Sequence, residues 1–348
     1  MDIVYKRDRL YRGTLIATVL FTLMACGLMI WFKTKEAYFD SHGRIAVVAE
    51  AALAGQDNFS ASNIYKKNFS VQIVDEPESK LKVPLLTQVS GDKITISEEF
   101  TQNKLVITLK DGASYMEEGE TLMSDSSWME AVGVYQHEGD IVIEVYCQNP
   151  CAYEYTCDNK TVTLSFLPIR EQYDKVVVVY TPWENRSSLL TNEWNQAIQK
   201  LEESYHIKIY STISVKEEYT DEDMINFANH VHADMVIGME LVEAETKNAV
   251  TICNAAYFIP EFGNVELAAI QEQEYAEKTQ LEASGFQKCE DKQSWLTKSA
   301  VPAALTQLRI PLSQQSAEQT YALNQKMMEA LGSIVKQVAE TYWLPVEK

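Results

Sequence analysis

The strongest constraint on the fold is a change of hydrophobic period near residues 167–174. Before it, short runs alternate apolar and polar residues: ValGlnIleVal at 71–74, LysIleThrIle at 93–96, LysLeuValIleThrLeu at 104–109, AspIleValIleGluValTyr at 140–146 and LysThrValThrLeuSerPhe at 160–166. They are rich in β-branched residues, and turn signals such as Ser90-Gly-Asp, Asp111-Gly, Glu138-Gly-Asp and Cys157-Asp-Asn separate them. Period two with such punctuation predicts an all-β, sandwich-like domain over 66–170. After the change, ValValValVal at 176–179 is continuously apolar, as in a strand buried on both faces. Helical and strand patterns then alternate. Trp194, Ala197, Ile198 and Leu201 mark one face of a helix over 192–203, and 206–210 reads as a strand. Thr220 and Asp223 open a helix over 221–231 with a capping box. Strands follow at 235–238 and 249–253, then an acidic helix over 271–283, an apolar segment at 303–308 and a closing helix over 317–342. This order predicts an α/β domain over 175–348, a mostly parallel sheet with helices on both faces.

Charge narrows the partners. The first twelve residues carry four basic and two acidic side chains and residues 13–32 carry none, so the body from residue 33 holds −22 of a chain total of −20. Such a body repels phosphate backbones, which sets nucleic acid aside. The uncharged residues 13–32 are long enough, as a helix of about 30 Å, to span a bilayer. With the basic tail 1–12 before it, this segment predicts a signal anchor: a single-pass cell-membrane protein, N-terminus cytoplasmic, body extracytoplasmic. A connector would fill 33–65. A cleaved signal peptide remains an alternative. So does a lipoprotein, since Leu23-Met-Ala-Cys26 is similar to a lipobox. Cys147, Cys151 and Cys157 form the one cysteine cluster; it lacks CxxC spacing and a following His, and is open to reading as a disulfide, buried thiols or a zinc fragment.

The stretch 228–241 reads as a helix end, a turn and a buried strand with Glu240 near its exit. In an open α/β sheet, ligands bind outside the carboxyl ends of strands, so Glu240 marks the place for a site. The residues PheAlaAsnHisValHisAlaAspMetValIleGlyMetGlu at 227–240 resemble the zinc-dependent N-acetylmuramoyl-L-alanine amidases of bacterial cell walls. That family has Ala-Asn, a spacer, and Ala-Asp leading into a strand that ends in Ser-x-His, whose His binds zinc. Gly238 and Glu240 take the Ser and His places here. At the first strand, matching Pro182 to the family's Pro puts Glu184 on another zinc His, and a shift by one puts Trp183 there. Glu193 lies near the family's Glu ligand, and Val301-Pro-Ala-Ala-Leu-Thr-Gln307 is similar to Pro-x-Leu-x-Glu, with Gln307 in place of the catalytic Glu. The preceding β-rich region resembles, more loosely, the modules that hold such amidases at the wall.

Zinc amide hydrolysis needs three ligands, an open water position and a base. A glutamine cannot be the base, because an amide does not titrate. The resemblance therefore implies a degenerate amidase-like domain with no cofactor and no hydrolysis, binding peptidoglycan or another envelope protein. Two alternatives stay open: an active amidase with zinc on a shifted set such as Glu184, Glu193 and Glu240, and a structural envelope protein sharing only topology. Trp183, at the exit of the first strand, is either core packing or a platform for a sugar ring. His230 and His232 sit at a helix end, which favours an imidazole there without making it a ligand.

Overall fold

The computed structural model describes residues 64–66, 69–74, 79–85, 89–112, 122–124, 126–158, 160–215, 219–256, 259–292 and 294–343. These divide into two compact units. The first holds the described residues up to Ser97 with Lys104–Gln148 and Thr156–Thr163; the second holds Glu98–Asn103, Asn149–Tyr155 and the chain from Leu164 onward.

The described residues from 64 to 167 are mostly strand, with 3-10 turns at Gly91–Lys93 and Phe100–Gln102: β1 (Ile64–Lys66), β2 (Phe69–Val74), β3 (Lys80–Pro84), β4 (Ile94–Glu99), β5 (Lys104–Leu109), β6 (Leu122–Met123), β7 (Met129–His137), β8 (Asp140–Cys147), β9 (Ala152–Asp158) and β10 (Thr161–Leu167). They form two five-stranded sheets, β1-β2-β3-β10-β9 and β4-β5-β8-β7-β6. Alternation works as the sequence suggests: Val162, Leu164 and Phe166 of β10 are buried and the residues between them are not. At the β7–β8 hairpin His137 pairs with Asp140, and both turn residues, Glu138 and Gly139, have positive φ (52° and 94°). That is the twist a two-residue hairpin requires. β7, the longest strand of this region, was not anticipated; Gly133 and the tail TyrGlnHis blur its pattern.

The second unit is built on one six-stranded sheet. Its elements are α1 (Ile169–Gln172), β11 (Lys175–Tyr180), α2 (Trp183–Arg186), α3 (Thr191–Tyr205), β12 (Ile207–Ser211), α4 (Asp221–His230), β13 (Met235–Glu243), β14 (Asn248–Cys253), α5 (Asn264–Thr279), β15 (Glu282–Lys288), α6 (Trp295–Lys298), β16 (Ala303–Ile310) and α7 (Ala317–Val338). The order is β12-β11-β13-β16-β14-β15. β12, β11, β13 and β16 run parallel to one another, while β14 is antiparallel to β16. β11 is central and apolar throughout because each face meets its own core. Val177 and Val179 pack with Trp194, Ile198, Leu331 and Ile334, and Val176 and Val178 pack with Met224, Phe227 and Trp295.

Several expectations shift. The acidic helix begins seven residues earlier and ends at Thr279, where Gln280 turns left-handed (φ 59°) and β15 begins. β15 carries no buried side chain, so it has no hydrophobic period to read. The apolar segment at 303–308 is the interior strand β16, which continues through Arg309 and Ile310. The capping box of Thr220 and Asp223 forms.

The expected membrane placement needs correction. Among the described residues, no helix is long and apolar enough to cross a membrane. The basic tail, the apolar segment 13–32, Cys26 and all but the last residues of the connector lie outside the described residues. Among the cysteines of the cluster, Cys151 and Cys157 are free thiols, so no bridge joins them.

Candidate functional site

The stretch 228–241 is held by side chains that tie its two ends into the sheet. α4 ends at His230, and His232 takes the left-handed conformation (φ 49°) that lets the Ala233 N–H return to the Ala228 carbonyl at 2.9 Å. This leaves the His230 and His232 rings at a helix end. Asp234 then knots the turn to β11. Its carboxylate accepts from the Val176 N–H (2.8 Å), Arg170 Nη1 (2.7 Å) and Lys175 Nζ (3.0 Å), and its own N–H donates to the Val176 carbonyl at 2.7 Å. Asn229 reaches the other way: its side-chain oxygen accepts from the Ala300 N–H at 3.1 Å, ahead of β16. The Ala-Asn and Ala-Asp pairs therefore have structural employment. They set β11, β13 and β16 side by side.

Gly238 is where side-chain space ends. A Cβ there would lie 3.0 Å from the Ala304 carbonyl oxygen, Leu305 Cδ1 and Trp295 Cζ2. Trp295 is buried, and its ring meets Tyr180 edge-on at 5.3 Å. The Tyr180 hydroxyl donates to the Asp221 carboxylate, whose pKa burial raises. An indole thus occupies the ground beside the strand position where the resemblance would place a serine.

Two residues further, Glu240 lies opposite Gln307 in the β13–β16 register. Gln307 Nε2 donates to Glu240 Oε2 at 3.0 Å, and Arg309 Nη2 donates to Gln307 Oε1 at 2.9 Å. The three half-buried side chains form a relay in which the guanidinium orients the amide and the amide satisfies the carboxylate. The arrangement is polar, charge-balanced and fully consistent with ordinary hydrogen bonding. β13 runs on to Glu243, so Glu240 is short of the strand's end, contrary to expectation. Arg309 was missed in the sequence because the apolar segment was read as stopping at 308; Leu305-x-Gln307-x-Arg309 at period two is the signal that would have found it.

The other candidates stand at the exit of β11. Trp183 and Glu184 are exposed on the single turn α2, Asn185 Oδ1 accepts from the Leu241 N–H at 2.6 Å, and Arg186 is buried. Burial lowers the Arg186 pKa, and Glu184 opposes that shift. Glu193 is the third residue of α3. The structure thus brings Glu240 and Gln307 together. It does not gather Glu184 and Glu193 with Glu240: among the described residues no three His, Cys, Asp or Glu side chains are grouped to hold a metal ion. Among the described residues the Glu240 carboxylate is engaged by the Gln307 amide and is not grouped with two further donors, whereas a zinc site of the kind the amidase resemblance implies takes at least three protein ligands.

Solved structures similar to this chain are N-acetylmuramoyl-L-alanine amidases. The catalytic domain of CwlV from Bacillus (Paenibacillus) polymyxa var. colistinus has 10% identity and a TM-score of 0.39, covering 48% of this chain and 99% of that one. AmiC2 of Nostoc punctiforme has 12% identity and a TM-score of 0.38, covering 49% and 99%. The amidase from Clostridium difficile 630 has 16% identity and a TM-score of 0.37, covering 48% and 98%. No protein-family profile and no curated protein sequence matches the chain.

Proposed function

We propose that the α/β unit is an amidase-like domain that binds without hydrolysing, with peptidoglycan or another cell-envelope protein as its ligand. The observation that carries this reading is the relay Arg309–Gln307–Glu240. At the position where the sequence resemblance expects a zinc histidine and a catalytic glutamate, the two side chains hydrogen-bond to each other. A base for the attacking water contributes typically about 10²–10⁴-fold to such a reaction. Gln307 supplies none, and among the described residues Glu240 is not grouped with two further His, Cys, Asp or Glu side chains that could share a metal with it. The sequence patterns that survive, Ala228-Asn229 and Ala233-Asp234, are those that hold strands together. A kept frame with changed side chains at the site is compatible with a binding role.

The test is incubation of the full-length chain with purified peptidoglycan, with and without added zinc. The chain is expected to sediment with the polymer and to release no stem peptide in either case. Peptide release that is abolished both by a chelator and by Glu240→Ala would overturn the reading in favour of an active site on a shifted ligand set.

A further inference from the structure

The turn α2 is rigid, and it presents one large aromatic ring to solvent. Two of its four side chains act as bolts. Asn185 takes the Leu241 N–H at 2.6 Å, and Arg186 donates from Nε to the Thr181 carbonyl (3.2 Å) and from Nη1 to the Val215 carbonyl (3.4 Å). The Arg186 guanidinium also lies 5.1 Å from the centre of the Trp183 ring, within cation–π range. Trp183 is nevertheless 41% exposed. An indole in water on a fixed turn forgoes apolar burial that a core position would gain. Here the guanidinium backs one face, and the solvent-exposed part of the ring stays in a set orientation.

The surroundings select what can cover it. Glu184, on the same turn, is exposed. Through Asn185 the turn is tied to Leu241, the residue after Glu240, so the relay Glu240–Gln307–Arg309 stands at the same end of the sheet. An apolar helix laid over Trp183 would desolvate the neighbouring Glu184 carboxylate without giving it a donor. A pyranose ring matches both requirements: its axial C–H bonds form an apolar face for the indole, and its hydroxyl groups donate hydrogen bonds to a carboxylate such as that of Glu184.

We propose that Trp183 is the stacking platform for one sugar ring of a glycan, with Glu184 as a hydrogen-bond acceptor at its rim. The proposal rests on the binding reading above and narrows its ligand to the saccharide part of the polymer rather than the peptide. The probes are a β-1,4-linked N-acetylglucosamine hexasaccharide, which carries no peptide, and intact purified peptidoglycan, both added to the full-length chain. The hexasaccharide is expected to bind and to perturb tryptophan fluorescence. Trp183→Ala should weaken it about tenfold or more, Trp183→Phe should retain most of the affinity, and both should stay folded, with Trp183→Ala lowering the melting temperature only by the small cost of the lost Arg186 cation–π contact. Hexasaccharide binding unchanged by Trp183→Ala overturns the platform and leaves the binding reading standing. Binding to intact peptidoglycan without binding to the hexasaccharide does the same. Binding to neither probe overturns the binding of peptidoglycan itself, and the platform with it.

Discussion

Gln307 donates its side-chain N–H to Glu240 across two adjacent parallel strands at 3.0 Å, and the donor is an amide held in place by Arg309. Restoring a carboxylate there has a calculable cost. Gln307→Glu sets two carboxylates face to face at hydrogen-bond distance, so the pair takes up a proton more readily in the folded chain than in the unfolded one. The folded pKa is then raised. The stability is intact below the unfolded carboxylate range and is lost as the pH rises through the raised value. Urea denaturation should show Gln307→Glu about 1–2 kcal/mol less stable than the natural chain at pH 7 and close to it at pH 4. An equal difference at both values would show that the two side chains do not meet.

Gly238 bears a second expectation. A methyl group at this position meets Trp295, Leu305 and a backbone carbonyl at 3.0 Å, and the carbonyl cannot yield without disturbing β16. Gly238→Ala should cost about 1–3 kcal/mol by overpacking. Trp295→Leu in the same chain should return part of that loss, because one of the three contacts is then removed. Chemical denaturation of the four species in a double-mutant cycle reads the coupling.

Lys208 is a half-buried cation of the second unit. Its ammonium lies 2.7 Å from Glu98 and 3.7 Å from Glu202, and Glu202 also accepts from the Ile209 N–H at 2.8 Å. The two carboxylates hold the Lys208 pKa up against burial, and burial raises that of Glu202. The raised Glu202 contributes most at pH below the unfolded carboxylate value and less as the pH rises through its folded value. Lys208→Ala strands two carboxylates, so it should lose about 3–5 kcal/mol at pH 7. The deficit should shrink on acidification as the carboxylates protonate. Melting curves at pH 7 and pH 4.5 measure both effects, and a pH-independent deficit would argue for lost packing alone.

Asn324 joins α7 to the start of α3. Its oxygen accepts from the Leu190 N–H and from Trp194 Nε1, both at 3.1 Å, and its nitrogen donates to the Ser188 and Thr320 carbonyls at 3.0 and 2.9 Å. All four valences of a fully buried amide are used. Asn324→Ala leaves buried partners unsatisfied and should lower stability by about 2–4 kcal/mol in urea denaturation. A loss under 0.5 kcal/mol would mean that water replaces the amide.

How far the sequence reached follows from which forces set each part. β11 and α3 were legible because burial decides them: four consecutive valines, and Trp194, Ile198 and Leu201 at helical spacing. The cap of α4 was legible because Thr220 and Asp223 act on neighbours in the chain. β15 was not, since every residue in it is exposed; backbone pairing to β14 and a side-chain bond from Asn248 to Ser284 hold it. At the site, Glu240 and Gln307 were singled out one at a time from their family positions. Their contact depends on the parallel register of β13 and β16, strands separated in the chain by two strands and two helices. Spacing along the chain does not encode such a register. Arg309 and Asn185, which complete the arrangement, carry no motif and become visible only when the strands are laid together.

The central claim is that Glu240 serves a hydrogen-bonded relay rather than a metal centre. Zinc titration of the full-length chain against a chromophoric chelator tests it most directly. The account predicts no zinc bound with a Kd below about 1 µM (about −8 kcal/mol) that depends on Glu240. One equivalent of zinc bound more tightly than that, and lost in Glu240→Ala, would contradict it.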